Sequence, residues 1–309
     1  MADIERFLRM IEDDGEDDLS FVLRDGLFSV HPAVIAAIAA LGADARSRGR
    51  VVRVENMQQN ASSRYLERIG LFSALDVETP ITVREHEAAG RFIPLRQVRT
   101  NDELNEFVLE IGPLLHAGPD ATKAVKYALF ELIRNVLEHS HSPSGAYVCA
   151  QVARDGRLMM GVADAGRGVL ESMSLMHPVT THGAAISLAF RPGVSGTSRT
   201  FGGNETNGGA GLFFTKAMAV LSERNMVMIS GDSLMKLLKQ RGRAVHPTLE
   251  EDRITWRNLS VPVPGTIVGI DLEVDEETGF ERLFSDIRDA YGLSVRAQKK
   301  ARYKARFSR

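Results

Sequence analysis

The segment from Tyr127 to Val169 constrains the possible folds of this chain more than any other. Its first part places apolar residues at helical spacing, which predicts an amphipathic helix with one buried face. That face would consist of Leu129, Leu132, Ile133, Val136 and Leu137. Glu131, Asn135 and Glu138 recur every three or four residues, so they share a second face of the helix and can point towards one ligand.

Two strands and a glycine-rich turn follow this helix. The segments 146–153 and 158–165 alternate in the manner of a β-hairpin with its turn at residues 155–156. The second strand continues into Asp-Ala-Gly-Arg-Gly, from Asp164 to Gly168, where a carboxylate stands beside two glycines. Such a turn lets the backbone approach a flat ring while the aspartate accepts a hydrogen bond from an exocyclic amine. A simple hairpin turn often has the same composition.

The order of these motifs makes them more specific than each is alone. The helix with Glu-x-x-x-Asn, the hairpin and the Asp-x-Gly-x-Gly turn precede a glycine-rich segment that ends at Gly211-Leu212. In this order they resemble the ATP-binding domain of the GHKL superfamily: gyrase-type, chaperone-type, histidine-kinase-type and mismatch-repair-type ATPases, and anti-sigma-factor serine kinases. The resemblance covers residues 102–274 and implies an α/β fold, an α+β sandwich of the GHKL or Bergerat type. A GxxxxGK[ST] P-loop is absent from the sequence.

The resemblance implies a binding site for ATP and Mg²⁺. Asp164 would bind the adenine amino group, and Gly166 and Gly168 would give access to the base. Thr266, which precedes the last strand of the domain, would lie near the adenine. Asn135 would hold the magnesium ion, for which an amide oxygen is a suitable hard ligand.

Further residues would act on the phosphates. Glu131 would be a general base that orients a water or a protein hydroxyl for attack on the γ-phosphorus, with a surface salt bridge as the alternative. His139 extends the same face and would contact a phosphate or the lid, or cap the helix C-terminus. Backbone N–H groups at a glycine-rich helix start bind anions, which predicts phosphate contacts at Gly209, Gly211 and Leu212.

Residues 187–208, between the two glycine motifs, are rich in glycine, serine and threonine. Such a segment has little core and low local stability, which favours a lid that moves over a bound ligand. A passive loop would have the same composition. The segment leads directly into an apolar helix predicted from Phe213 to Leu221, and this continuity favours the lid.

The chain before this region has a pattern of its own. Residues 19–71 read as a strand pair, an alanine-rich helix from Pro32 to Arg48, a buried strand, and a helix that ends at Gly70. This β-α-β-α order predicts a small α/β domain that resembles STAS-like domains, the fold of anti-sigma-factor antagonists. Proline and alanine fill the usual phosphoacceptor positions, which favours docking or dimerisation over a phosphorylation switch. His31 is interpreted as a residue at the helix N-terminus.

Four regions follow from these patterns: an acidic lead-in at 1–18, the STAS-like domain at 19–95, the ATP-binding domain at 96–276, and a helix with a basic tail at 277–309. We expect a protein partner for the STAS-like domain, and a homodimer is a further option. The tail from Val295 has seven basic residues and no acid, so it is either solvated or contacts an acidic or nucleic-acid partner.

Charge and composition limit the other classes of partner. The net charge of -2 gives no general attraction to nucleic acid or to a membrane surface. No signal-peptide pattern and no membrane-spanning apolar run are present in the sequence, so no membrane partner is expected. Cys149 is the single cysteine, which excludes an internal disulfide and favours a reducing, cytoplasmic location.

Two functions of different classes remain open. One is a regulator that hydrolyses ATP or transfers its γ-phosphate to a protein serine or threonine, with Glu131 as the base. The other is a nucleotide-gated interaction module with little turnover. A histidine kinase is not expected, because no helix with a phosphoacceptor histidine precedes the domain.

Overall fold

A computed structural model describes the protein at residues 11–13, 18–23, 30–83, 92–114, 119–153, 155–196, 210–241, 244–272, 284–285, 287–293 and 295–296. Its centre is a sheet of five strands: β4 (Phe92–Val98), β5 (Ala146–Val152), β6 (Leu158–Asp164), β7 (Met226–Leu237) and β8 (Ile254–Leu272). They pair in the order β4-β5-β6-β8-β7, and every neighbouring pair is antiparallel. The predicted hairpin is therefore confirmed, with Gly156 at positive φ in its turn.

Helices cover the inner face of this sheet. They are α4 (Asn101–Leu114), α5 (Pro119–His139) and α8 (Gly211–Leu221), with the shorter α6 (Gly168–Ser174) and α7 (His182–Ala189) beside them. The predicted apolar face of α5 is confirmed, because Leu129, Leu132, Ile133 and Val136 are buried and Leu137 is partly buried in one core with the sheet. Helices packed on an antiparallel sheet form an α+β sandwich, so the predicted fold class is confirmed.

A second, small sheet lies near the N-terminus. It contains β1 (Ile11–Asp13), β2 (Asp18–Val22) and β3 (Val51–Glu55), and the helices that follow are α1 (Pro32–Ser47), α2 (Ala61–Ile69) and α3 (Leu71–Leu75). Strands β2 and β3 are parallel and joined through α1, whereas β1 is antiparallel to β2. The predicted β-α-β-α order is thus present, and the second strand of the predicted pair, at residues 24–29, lies outside the described residues.

Helix α1 packs on the outer face of the five-stranded sheet. Gly161 of β6 and Gly269 of β8 are cross-strand partners, and a Cβ at Gly161 would overlap the backbone of Pro32 and Ala33. Cys149, the partner of Gly161 on β5, donates from its Sγ to the carbonyl of Pro32 at 3.4 Å. Small residues on three adjacent strands thus form a groove that receives the first turn of α1.

A buried polar network fixes the same end of α1. The Nδ1 atom of His31 accepts from the N–H of Ala33, so Nε2 carries the proton and donates to Asp271 Oδ1 at 3.1 Å. Arg157 donates to the other oxygen of Asp271 at 3.2 Å. Burial raises the pKa of Asp271, but the bonds to these partners outweigh it and hold that pKa below its usual value. The interpretation of His31 as a helix N-terminal residue is confirmed.

The ends of three elements follow from local contacts. Helix α4 begins after Thr100, whose hydroxyl accepts from the N–H of Glu103 as an N-cap does. The predicted boundary between residues 95 and 96 lies inside β4. Strand β7 continues to Leu237 because its second half pairs with residues 254–258 of β8.

A buried ion pair that no sequence pattern indicated anchors helix α8. The Lys216 side chain is fully buried, and its Nζ lies 2.6 Å from Asp252 Oδ2 and 2.6 Å from the carbonyl of His246. Burial lowers the pKa of Lys216, and Asp252 opposes that shift. The segment between β7 and β8 is therefore tied to the helix that begins at Gly211.

Candidate functional site

One cavity brings together most of the predicted site residues. It lies between the C-terminal half of α5, the ends of β6 and β8, the start of α8 and residues 194–196. The predicted residues that line it are Asn135, His139, Asp164, Gly168, Gly211, Leu212 and Thr266. Glu131 and Gly166 do not line it, and Gly209 lies outside the described residues.

Asp164 is the charged group of this cavity with the most unusual environment. It ends β6, is 2% exposed, and accepts a hydrogen bond of 2.8 Å from the N–H of Gly166. Burial raises the pKa of the Asp164 carboxyl to about 7, and backbone hydrogen bonds from Gly166 and Thr266 oppose the shift. Within the described part of the chain, no charged side chain contributes to this shift. A buried carboxyl with no basic partner is suited to accept a hydrogen bond from a ligand.

The wall beside Asp164 is apolar. Val162, two residues earlier on β6, pairs with Val268 on β8, which pairs with Met228 on β7. These three side chains lie on the same face as Asp164 and line the cavity with Val169 and Met173 of α6. A flat, largely apolar ring with an exocyclic donor fits such a wall.

The glycines of the Asp-x-Gly-x-Gly turn serve the protein backbone. A Cβ at Gly166 would overlap the carbonyl of Ser140, at the end of α5. Gly168 has φ +73, and a Cβ there would lie 2.8 Å from the Ser230 hydroxyl. At both glycines, the atoms that come close to the backbone belong to other parts of the chain and not to a ligand. Gly168 also lines the cavity.

This close approach is what joins helix α5 to Asp164. Arg167 donates through its backbone N–H to the carbonyl of Ser140 at 2.8 Å, and through its Nε to the carbonyl of His139 at 2.6 Å. The end of the helix is thereby bonded to the turn that follows β6. Asn135 and His139 come to the same cavity as Asp164 for this reason.

Polar side chains of α5 form another part of the lining. Asn135 Nδ2 and His139 Nδ1 are buried and have no hydrogen-bond partner among the described residues. Burial lowers the pKa of His139, and the neighbouring Glu138 carboxylate opposes that shift. Arg134 lies between two carboxylates, with its Nε 3.2 Å from Glu138 and its Nη1 3.6 Å from Glu131. Buried polar atoms without partners mark a place where a ligand can supply them.

Glu131 lies behind the start of α8. Its Oε2 atom is 2.5 Å from the position that a Cβ at Gly211 would take, so the absence of a side chain at Gly211 makes room for the carboxylate. Burial raises the pKa of Glu131, and Arg134 opposes that shift. The residue is 7% exposed and, unlike Gly211, does not line the cavity.

The residues that line the cavity are suited to bind a nucleotide, and one of them, Asn135, is suited to bind a metal ion. The Nδ2 atom of Asn135 has no hydrogen-bond partner among the described residues. A 180° rotation of the side-chain amide would present either the N–H₂ group or the oxygen to a ligand. A single amide oxygen is a sufficient protein contribution for Mg²⁺, which usually keeps several waters and phosphate oxygens. Gly211 and Leu212 begin α8, so their N–H groups have no acceptor within the helix. The Asn135 amide and these N–H groups lie at the same cavity. Their roles as ligands stay predictions.

Ser230 is a residue of the site that no motif predicted. Ser230 of β7 accepts from the N–H of Val169 at 2.9 Å and donates to the carbonyl of Gly265 at 2.8 Å, which holds the start of α6 against β8. Val194, Ser195 and Gly196, which belong to the predicted lid segment, also line the cavity. Ser230 is 61 residues from Val169 in the chain, and the sequence between them carries no signal of their contact.

The predicted lid, residues 187–208, falls partly outside the described residues. Residues 187–189 belong to α7, residues 190–196 follow it, and residues 197–208 lie outside the described residues.

None of the helices in the described part of the chain has the length and apolar character of a membrane span.

Comparison with known proteins adds little to this geometry. No protein-family model matches the chain, and no curated protein matches it. Among solved structures, it is similar to the histidine kinase domain from the Erythrobacter litoralis EL346 blue-light activated histidine kinase. The identity is 11%, the TM-score is 0.26, and the match covers 82% of this chain and 99% of that chain. An identity and a TM-score this low establish neither the fold nor the function of this chain.

Proposed function

We propose that this protein is an ATP-binding regulator whose adenine site is built on Asp164. The observation that supports this is the buried carboxyl beside an apolar wall, in a cavity that also contains the start of α8. A purine with an exocyclic amine would donate to Asp164 and stack against Val162, Val268 and Met228. The resemblance of the motif order to GHKL domains points to the same ligand.

Different residues bind the base and the phosphates of the nucleotide in this proposal. The carboxylate of Asp164 binds the base and selects for an amino donor, and Thr266 lies beside it as the cross-strand partner. Asn135 and His139 supply buried polar atoms towards the phosphates, and the N–H groups of Gly211 and Leu212 bind the negative charge. Bound Mg²⁺ would neutralise part of the phosphate charge.

Whether the nucleotide is turned over depends on Glu131. In the first form of the proposal, Glu131 is the base for hydrolysis or for transfer to a protein serine or threonine. In the second, the protein is a nucleotide-gated interaction module with little turnover. The second form is favoured by the position of Glu131, which pairs with Arg134 and, unlike Asn135, does not line the cavity.

The adenine site is tested by ATP binding to wild-type protein and Asp164→Asn, measured by titration calorimetry. A hydrogen bond to a charged group contributes about 1.5–3 kcal/mol, so the variant should bind ATP about 10- to 100-fold more weakly. Asp155→Asn is the matched control, because Asp155 is an exposed aspartate in the β5–β6 turn. Equal affinity of wild-type and Asp164→Asn protein would refute the site.

Turnover is tested with γ-labelled ATP and the Glu131→Ala variant. Release of labelled phosphate, or labelling of a protein, that is lost in this variant would support the catalytic form. Glu106→Ala serves as the control, because Glu106 is an exposed glutamate on α4 that does not line the cavity. Binding of ATP without release or transfer by the wild-type protein would support the interaction module and exclude a catalytic role for Glu131.

A further inference from the structure

The C-terminal helix, residues 287–293, packs on the ATP-binding region and does not line its cavity. Ile287 is fully buried, and Ala290 and Tyr291 pack against the same core, so the three residues form one face at helical spacing. Asp289 and Leu293 are exposed on the other side. The helix is therefore amphipathic and is seated by a defined face.

The ring of Tyr291 contacts the beginning of α8. Its centroid is 5.9 Å from that of Phe213 and 5.8 Å from that of Phe214. These two residues directly follow Leu212, which lines the cavity together with Gly211. Phe284 and Tyr127 complete the aromatic cluster, at 5.0 Å from each other. Aromatic pairs at such distances contribute about 0.5–1.5 kcal/mol beyond the area they bury.

The hydroxyl of Tyr291 contacts a different wall. It is hydrogen-bonded to the backbone of Gly193, the residue before Val194, Ser195 and Gly196. These three residues line the cavity. Gly193 has φ +74, so the backbone at this point takes a turn that favours glycine. One side chain thus contacts the bases of two walls, the segment at 193–196 and the start of α8.

The 193–196 wall has further supports on its other side. His177 Nε2 lies 2.9 Å from the carbonyl of Ser195. A Cβ at Gly196 would lie 2.9 Å from the Ser172 hydroxyl, so the wall is also close to α6. The wall is thus held on the α6 side, and Tyr291 contacts both this wall and the start of α8.

We propose that Tyr291 is a positioning residue of the nucleotide cavity, which sets the separation of its two walls from outside. The inference rests on the proposed nucleotide function for its effect on affinity. It makes the C-terminal helix a part of the binding unit, and it makes nucleotide affinity depend on a residue that touches no nucleotide. Any change that displaces this helix would then change the affinity of the cavity.

The first test is the Tyr291→Phe variant, which keeps the ring and removes the hydroxyl. Amide hydrogen exchange of the nucleotide-free protein should be faster in residues 193–196 than in the wild type, with no change in β5. Because one neutral hydrogen bond contributes about 0.5–1.5 kcal/mol, ATP should bind about 2- to 10-fold more weakly. Leu293→Ala is the control on the same helix, since this side chain is 66% exposed and should leave both quantities unchanged.

The two measurements separate the two proposals. If wild-type protein does not bind ATP, the proposed function fails, and the exchange rates still decide whether Tyr291 holds the wall. If wild-type protein binds ATP, and Tyr291→Phe changes neither the exchange at 193–196 nor the affinity, the role of Tyr291 is refuted. Tyr291→Phe retains the contacts with Phe213 and Phe214, so its circular dichroism should match that of the wild type.

Discussion

At the scale of single residues, the most consequential group is the carboxyl of Asp164. Burial without a basic partner raises its pKa to about 7, so the folded protein holds a proton there that the unfolded chain gives up near the usual pKa of 3.8. Stability falls with rising pH wherever the folded state binds more protons than the unfolded state. This carboxyl therefore destabilises the nucleotide-free protein as the pH rises from about 4 to about 7. Such a group favours a ligand that can donate a hydrogen bond to it.

Asp164→Asn should accordingly stabilise the nucleotide-free protein in a pH-dependent manner. The full shift corresponds to roughly 4 kcal/mol at 1.36 kcal/mol for each unit of pKa, so this is an upper limit for the gain above about pH 7.5. The gain should shrink towards zero near pH 4, where the wild-type carboxyl is protonated in both states. Thermal and urea unfolding of both proteins at several pH values measure it. A stability difference that does not vary with pH would show that Asp164 is not the group that titrates.

At the scale of elements, the sequence predicted what is encoded locally. The apolar face of α5 and the β5–β6 hairpin follow from the spacing of residues close in the chain, and both are confirmed. Asn135, Asp164 and Thr266, which the order of motifs had related to one another, line one cavity in the structure. Their roles stay predictions.

The features that sequence patterns missed depend on contacts between distant segments. His31 and Asp271 are 240 residues apart, and Lys216 and Asp252 are 36 apart. A lysine in a helix and an aspartate in a loop are ordinary surface residues by composition, and only the fold shows that these two are buried together. Glu131 lies against Gly211 and does not line the cavity, and no local pattern in the sequence indicated this contact.

The docking of α1 gives a prediction at this scale. In Gly161→Ala the new methyl group would overlap the backbone of Pro32 and Ala33, which cannot move aside as a side-chain tip can. Overpacking of a core contact usually destabilises by about 1–3 kcal/mol, and we expect at least that loss in urea unfolding. Gly292→Ala is the control, because its added Cβ would meet no atom of another described segment within 4 Å. Equal stabilities of Gly161→Ala and wild-type protein would contradict the groove.

At the scale of the whole molecule, the N-terminal segment is a layer of the fold. Residues of α1 share a hydrophobic core with Tyr147, Cys149, Ala163 and Ile267 on the outer face of the five-stranded sheet. The inner face is covered by α4, α5 and α8 in a second core. The chain thus has three layers through this part, helix on sheet on helices, and the cavity lies on the inner side.

This arrangement predicts the behaviour of a truncated chain. A fragment that begins at residue 96 would lack α1 and would be cut within β4, so the outer face of the sheet would be exposed to water. Exposed apolar patches of this kind lead to association. We expect the fragment to aggregate, or to unfold without a sharp thermal transition, whereas the full-length protein unfolds cooperatively. Light scattering and calorimetry measure both, and a monomeric fragment with a sharp transition would contradict the shared core.

The position of α1 also limits how two copies of this chain can associate. Sheet-to-sheet packing requires two uncovered apolar faces, and here helices already occupy the central strands on both sides. The central five-stranded sheets of two copies therefore cannot stack directly on each other, and a homodimer has to use other surfaces. Its symmetry axis cannot pass between two stacked sheets, which a cross-linking map of the dimer would show at once.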